Sequence, residues 1–389
     1  MQLPEIFDAV LCLWIYVYLI FDMNKVLLIH ASLGAGHRRA AQALQEVFQS
    51  RGVESEVQDL LTFLPGPLSS GYPWAYNFMI QDARRLWKSF YTMMDRPSTP
   101  YAPARSMLQR WQFTRLKRYL QSKQFTHIIS THFTPSALLA DWKTDSQIDA
   151  KIFSVVTDHI AHRCWKRTGL DHYFVTTSEV KAQLTESGVP KDKITVSGIP
   201  VSSAFSVPRD RAGARAAWSC APEDVVVLVL CSGISLEKTV NLLTELRDIQ
   251  PQLRLLISTG SDPAKEEKVR SMFPDPNFTV FGFSTRIAEM MQAADFILTK
   301  PGGLIVSEAL AMGLPQLLFS PIPGQEEANA DHAVRHDAAI LIEEKKGAFA
   351  DAIRDLLSYP QKLSAMADSA RALGKPDAAI VIVNQVLRA

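Results

Sequence analysis

Twice along this chain a short apolar run ends in a glycine turn that opens directly into helix-compatible sequence. The first run is Val26–His30. Ser32-Leu33-Gly34-Ala35-Gly36-His37 follows it, and then residues 38–48, where Ala41, Leu44 and Phe48 share one helical face. The second run is 295–299, followed by Lys300-Pro301-Gly302-Gly303 and another helical stretch. Such runs suit strands buried on both faces, and the strand–turn–helix unit predicts a parallel, doubly wound sheet.

Further strands are expected at 53–60, 127–130 and 151–157. Past a stretch at 198–211 that holds Pro200 and Pro208, the alternation restarts, with strands expected at 225–230, 253–258, 278–281, 314–319 and 339–342. A length of 389 residues suits two domains better than one core. The expected division is an apolar extension at 1–22, a first Rossmann-like domain at 23–200 and a second at 201–389.

Composition narrows the function classes. The net charge of +1 gives no global attraction to nucleic acid, so an electrostatic partner must be met by a local patch. Cys12, Cys164, Cys220 and Cys231 form no Cys-x-x-Cys pair, which signals neither zinc nor a disulfide framework. Residues 9–21 are apolar but too few to span a bilayer, and Glu5 and Asp8 stand where a signal peptide would be basic. A monotopic anchor, an added packed helix and an upstream stretch before a start at Met23 all fit it.

Residues 71–119 differ from the rest. They hold eleven aromatics, nine Lys or Arg and two acids. Rings that sit at headgroup depth and cations that meet anionic lipid are what a membrane-surface patch needs. Trp74, Arg84, Arg85, Trp87 and Lys88 are the candidate contacts. An excursion with a buried aromatic face and a solvated basic face has the same composition.

Three motifs carry chemistry. In the first turn, His37 stands at a helix start, where the helix dipole disfavours imidazolium and keeps the ring ready to accept a proton. Arg39 occupies the third glycine position of a dinucleotide fingerprint, which weakens a nicotinamide reading. In Val155-Val156-Thr157-Asp158-His159, Asp158 lies just past a strand end, where it could orient His37 or hold an acceptor hydroxyl. His159 and His162 with Asp158 make only a weak metal signal. In the third motif, Gly302 and Gly303 begin a helix beside Lys300, a combination suited to phosphate. Glu308 follows within that helix, placed to meet ribose hydroxyls, and Gln325 and Glu326 at a loop mouth suit the hydroxyls of a hexose.

Taken together, these motifs resemble the monogalactosyldiacylglycerol synthase and processive diacylglycerol glucosyltransferase group of glycosyltransferase family 28. The likeness runs from Met23 onward through SxGxGHxxAAxAL, VVTDxxxHxxW, GIPV, KxGGLxVSEALAxGLP and PIPGQEExNA. It implies a GT-B fold, two Rossmann-like doubly wound domains facing a cleft, and an inverting transfer of a hexose from a UDP-sugar to diacylglycerol. By the resemblance His37 is the general base, Glu308 holds the ribose, and Gln325 and Glu326 hold the sugar. The diphosphate falls to Lys300, Gly302, Gly303 and the turn at Gly233 and Ile234. No metal or other cofactor is implied, and no two aspartates are spaced as Asp-x-Asp. The resemblance places the protein peripherally on the cytoplasmic face of a membrane.

Departures from the pattern are the short Ser232-Gly233-Ile234-Ser235 loop, Pro301 where a small residue is usual, and Ile305 where threonine is frequent. Three rivals share the fold: a transferase acting on a lipid-linked cell-wall precursor, a UDP-sugar 2-epimerase, and a degenerate nucleotide- or lipid-binding protein. Turnover of UDP-sugar without lipid would mark the epimerase, and fold alone separates none of them.

Overall fold

The computed structural model describes residues 24–81, 83, 86, 112–207, 210–249 and 253–389. The extension at 1–22 and the candidate contacts Arg84, Arg85, Trp87 and Lys88 lie outside the described residues. The chain forms two compact units, one of Met1–Ser202 with Asp377–Ala389 and one of Ser203–Pro376.

Unit 1 is built on six parallel strands: β1 (Val26–His30), β2 (Ser55–Asp59), β3 (His127–Ser130), β4 (Lys151–Val155), β5 (His172–Val175) and β6 (Ile194–Val196). Their order in the sheet is β2-β1-β3-β4-β5-β6. Helix α1 (Ala35–Ser50) buries Ala40, Ala41, Leu44 and Phe48 on one sheet face. Its first residue follows Gly34 at φ 117°, a backbone that side chains rarely adopt, so the sharp turn off β1 depends on glycine. Helix α2 (Gly66–Gln81) carries no charged residue, α3 (Thr114–Lys123) packs through Leu116 and Leu120, and α4 (Phe133–Thr144) and α5 (Ser178–Glu186) follow β3 and β5.

Unit 2 repeats the scheme with β7 (Val225–Leu230), β8 (Leu253–Ser258), β9 (Phe278–Phe281), β10 (Phe296–Thr299), β11 (Gln316–Leu318) and β12 (Ala339–Leu341). The strand order is β12-β11-β10-β7-β8-β9, all parallel, which is the Rossmann order read from its far edge. Its helices are α6 (Arg211–Ala217), α7 (Leu236–Arg247), α8 (Pro263–Met272), α9 (Ile287–Ala293), α10 (Gly303–Ala311), α11 (Gln325–Arg335), α12 (Ala348–Ser358) and α13 (Pro360–Leu373).

The end of the chain corrects one expectation. Residues 377–389 were assigned by sequence to the second domain, but α14 (Ala378–Val386) belongs to unit 1. Ala379, Ile382, Val383 and Val386 recur at helical spacing and enter the same core as Val26, Leu28, Leu44 and Phe48. Arg51 donates to Asn384 and Thr195 to Gln385, which fixes the register of the helix. Burial of three aliphatic side chains there contributes roughly 5 kcal/mol as an upper estimate.

Open parallel sheets bind ligands outside the carboxyl ends of their strands, where the strand order reverses. In unit 1 that point lies between β1 and β3, and in unit 2 between β7 and β10. The first and third sequence motifs fall at these two places.

Candidate active site

His37 lies in the first turn of α1, at the unit 1 switch point. Its Nδ1 is 2.8 Å from the carbonyl oxygen of Thr131, which follows β3. A carbonyl can only accept, so Nδ1 carries the proton and Nε2 keeps its lone pair. The Thr157 hydroxyl, beyond β4, lies 3.0 Å from the same nitrogen. The Thr131 hydroxyl donates back to the His37 carbonyl at 2.9 Å. Three adjacent strands thus fix one imidazole. Burial drives its pKa down to about 4, with the Thr131 carbonyl opposing the shift. His37 is therefore neutral at pH 7.

The neighbours of the His37 Nδ1 are thus the Thr131 carbonyl and the Thr157 hydroxyl. Asp158 stands just past Thr157, and its carbonyl accepts from Thr176. His162 caps the short turn Arg163–Trp165 by accepting from the Cys164 amide, an ordinary structural task.

Sequence reasoning missed Thr131, Thr157 and His132. The His132 ring meets His37 edge to face, with centroids 4.6 Å apart. His132 caps α4 by accepting at Nδ1 from the Thr134 amide, so its other nitrogen holds the proton. Desolvation, followed by the nearby His37 and His30 rings, holds its pKa well below the ordinary value. A polar Ser-Thr-His run directly after a buried strand was the available signal.

At the unit 2 switch point two loops meet the strand ends. After β10, the Gly302 amide turns inward to the Lys300 carbonyl at 2.9 Å, and α10 begins at Gly303 without a side-chain cap. The first amides of α10 therefore have no partner within the helix. Gly302 has φ −64°, open to any residue, and a side chain there would make only an ordinary contact with Ile305. Neither strain nor crowding in the fold requires glycine at this position.

Lys300 is mostly buried and pairs with Glu326 at 3.3 Å. Glu326 also accepts from the Ile322 amide at 2.7 Å, so its carboxylate shapes the loop and offsets Lys300. Glu308 is buried on the second turn of α10. Gln325 opens α11, half-buried, with no hydrogen-bond partner among the described residues. Asn329 is fully buried and donates to the Pro301 carbonyl at 3.1 Å, locking the phosphate-type turn from behind.

After β7, Gly233 adopts φ 69° with open space around it, and Ser235 caps α7. The Ile234 side chain is buried, and its amide is used inside the turn toward the Cys231 carbonyl. Ile234 therefore maintains the loop, while Ser232, Gly233 and Ser235 are exposed. Beneath it lies Lys265, unnoticed in the sequence and 8% exposed. Its ammonium donates to the carbonyls of Cys231 and Ile234, both at 2.7 Å. Gly260 lets the neighbouring loop come close, since a Cβ there would sit 3.0 Å from the Ser232 hydroxyl. A short loop is thus held in shape from below.

Comparison with known proteins agrees with this arrangement. The family description for monogalactosyldiacylglycerol synthase matches residues 37–201, and that for the glycosyltransferase family 28 C-terminal domain matches 226–382. A processive diacylglycerol beta-glucosyltransferase from Bacillus thuringiensis is 27% identical over 366 residues, 93% of each chain. Among solved structures, MurG from Acinetobacter baumannii has a TM-score of 0.62 at 16% identity, covering 94% of this chain and all of that one. The UDP-GlcNAc 2-epimerase from Neisseria meningitidis, solved with UDP-GlcNAc, has a TM-score of 0.63 at 14% identity, with the same coverage. These two share the GT-B fold with this chain. With both domain families matched in order, the chain belongs to the monogalactosyldiacylglycerol synthase and processive diacylglycerol glucosyltransferase group of glycosyltransferase family 28.

Proposed function

We propose that this glycosyltransferase moves a glucose or galactose from a UDP-sugar to a hydroxyl of diacylglycerol, or of an already glycosylated diacylglycerol, with inversion. The observation that carries the chemistry is the anchored, neutral His37, whose Nδ1 proton is held by the Thr131 carbonyl. Its Nε2 takes the proton of the lipid hydroxyl as that oxygen attacks the anomeric carbon. The bond from that carbon to the diphosphate breaks, and UDP leaves with the electron pair. The first amides of α10, the Gly233 turn and Lys300 meet the charge that develops on the leaving diphosphate. Glu308 holds the ribose, and Gln325 with Glu326 holds the sugar.

This reading needs no metal, since a lysine and helix amides stand where a metal would otherwise neutralise the diphosphate. The decisive experiment offers purified protein diacylglycerol with each UDP-hexose and identifies the lipid products. Hydrolysis or epimerisation of UDP-sugar, with no glycolipid formed, would overturn the transferase reading. Loss of activity in EDTA with recovery on adding magnesium would overturn the metal-free part.

The lipid acceptor calls for a membrane surface. Helix α2 exposes Leu68, Tyr72, Trp74 and Phe78, with Trp74 69% exposed. Trp74 and Phe78 stack with centroids 5.8 Å apart. An uncharged helix with exposed stacked rings suits insertion at headgroup depth. Among the described residues no helix is long and apolar enough to cross a membrane. We read the protein as a peripheral enzyme on an anionic bilayer at the cytoplasmic face, a reading supported by the exposed rings of α2 and by the nine Lys and Arg of residues 71–119. Replacing Trp74 and Phe78 with serine should weaken co-sedimentation with anionic vesicles and lower glycolipid yield together. Unchanged binding would remove α2 from the membrane contact.

A further inference from the structure

Beside the His37 loop, unit 1 contains a cavity of about 140 Å³. Leu33 comes from the turn between β1 and α1, Leu61 from the short turn after β2, and Phe113 from the entry to α3. These three are almost fully buried. Leu68 and Tyr72 of α2 complete the wall and are 41% and 48% exposed. Apart from Gln112 and Thr134, the lining is apolar or aromatic. The cavity therefore has a buried apolar side and an exposed side formed by α2.

Two features tie this cavity to the reaction. Leu68 and Tyr72 belong both to its wall and to the exposed apolar face of α2. The lining also includes Thr134, whose amide donates to His132, and the His132 ring lies against His37. The cavity thus shares residues with the exposed apolar face of α2 and lies beside the loops that hold His37. Apolar cavities of about 150 Å³ stay dry and take up a guest of benzene size. A space of this size accepts a stretch of several methylenes and excludes a sugar or a headgroup, whose polar atoms would find few partners there.

We propose that this cavity binds the glycerol-proximal part of one acyl chain of the acceptor lipid, holding the free hydroxyl at His37. The proposal rests on the lipid-acceptor reading above. It makes the protein a reader of acyl-chain length and bulk near the ester, and not only of the headgroup. A water-soluble alcohol should then be a poor acceptor even at high concentration, because nothing anchors it.

The test uses the full chain with micelle-dispersed diacylglycerols carrying acyl chains of four, eight and sixteen carbons. In the unmodified protein the acceptor KM should fall between the four- and eight-carbon lipids and change little beyond. Leu61→Trp, which fills the buried side, should raise the KM for the eight-carbon lipid about tenfold and leave the KM for UDP-sugar unchanged. Leu68→Gln at the exposed side carries little risk to folding and should shift the acceptor KM in the same direction. A diacylglycerol with a photoreactive group near the ester should label peptides containing Leu61 or Phe113. Unchanged acceptor KM in both variants, or labelling elsewhere, would overturn the proposal. If no diacylglycerol is glycosylated at all, the transferase reading fails instead, and the labelling experiment still decides whether the cavity holds an acyl chain.

Discussion

Units 1 and 2 are built alike, from six parallel strands flanked by helices, and each gathers its functional side chains where the strand order reverses. Their crevices nevertheless do opposite work. In unit 1 an imidazole is clamped by a carbonyl and kept neutral, which makes a proton acceptor. In unit 2 the start of α10 leaves its first amides without a partner in the helix, beside the paired Lys300 and Glu326, a place suited to an anion. The same backbone plan gives a base or a phosphate site according to two loops in each sheet. The sheet supplies a place, and the residues just past its strands supply the chemistry.

The contrast can be broken most forcefully at His37. His37→Ala should reduce kcat by about 100- to 10,000-fold and leave UDP affinity intact, because the nucleotide is met by unit 2. Near-normal turnover, or a parallel loss of UDP binding by calorimetry, would mean that the division of labour is wrong. Lys300→Met comes next. It removes the partner of Glu326 and should weaken UDP binding roughly 10- to 100-fold, with the acceptor KM unmoved. A smaller effect is expected from Lys265→Met, which removes the ammonium from the Cys231 and Ile234 carbonyls. It should raise the KM for UDP-sugar about threefold to tenfold through the displaced Gly233 turn. A fall in Tm with that KM unchanged would confine Lys265 to stability.

The smallest effect concerns pH. The pKa of His37 is lowered to about 4, so the neutral form needed to accept a proton persists above that value and is lost below it. Turnover should stay flat from pH 8 to about 5 as far as His37 is concerned, where an ordinary histidine would already be titrating near 6.5. A rate that halves near pH 6.5 and tracks the His37 titration by NMR would show that the ring is not desolvated as described.

Much of this was legible in the sequence for physical reasons that can be named. β1 and β7 are apolar because both their faces are covered, and their glycine turns must bend the backbone where side chains cannot follow. β5 and β6 escaped notice. β5 offers only Tyr173, Phe174 and Val175 after a histidine, and β6 is three residues long and half-covered, so neither leaves an apolar run of ordinary strand length. His37 could be read as a base, but the groups that make it one could not. Thr131 and Thr157 lie 94 and 120 residues away and act through a carbonyl and a hydroxyl. Lys265 looked like one more surface lysine in a charged helix. Only packing shows that its ammonium is inside.

The return of α14 to unit 1 bears on how the protein is made. Unit 2 is one uninterrupted stretch, Ser203–Pro376, and has all its residues before the last helix is translated. Unit 1 begins first and cannot be completed until residues 377–389 leave the ribosome. At ordinary elongation rates the intervening segment takes on the order of ten to thirty seconds to synthesise. Throughout that interval the α14 side of the first core, around Val26, Leu28 and Phe48, lacks its cover. The unit that carries His37 is therefore the last to close, and its first core stays open to chaperones and proteases until α14 arrives.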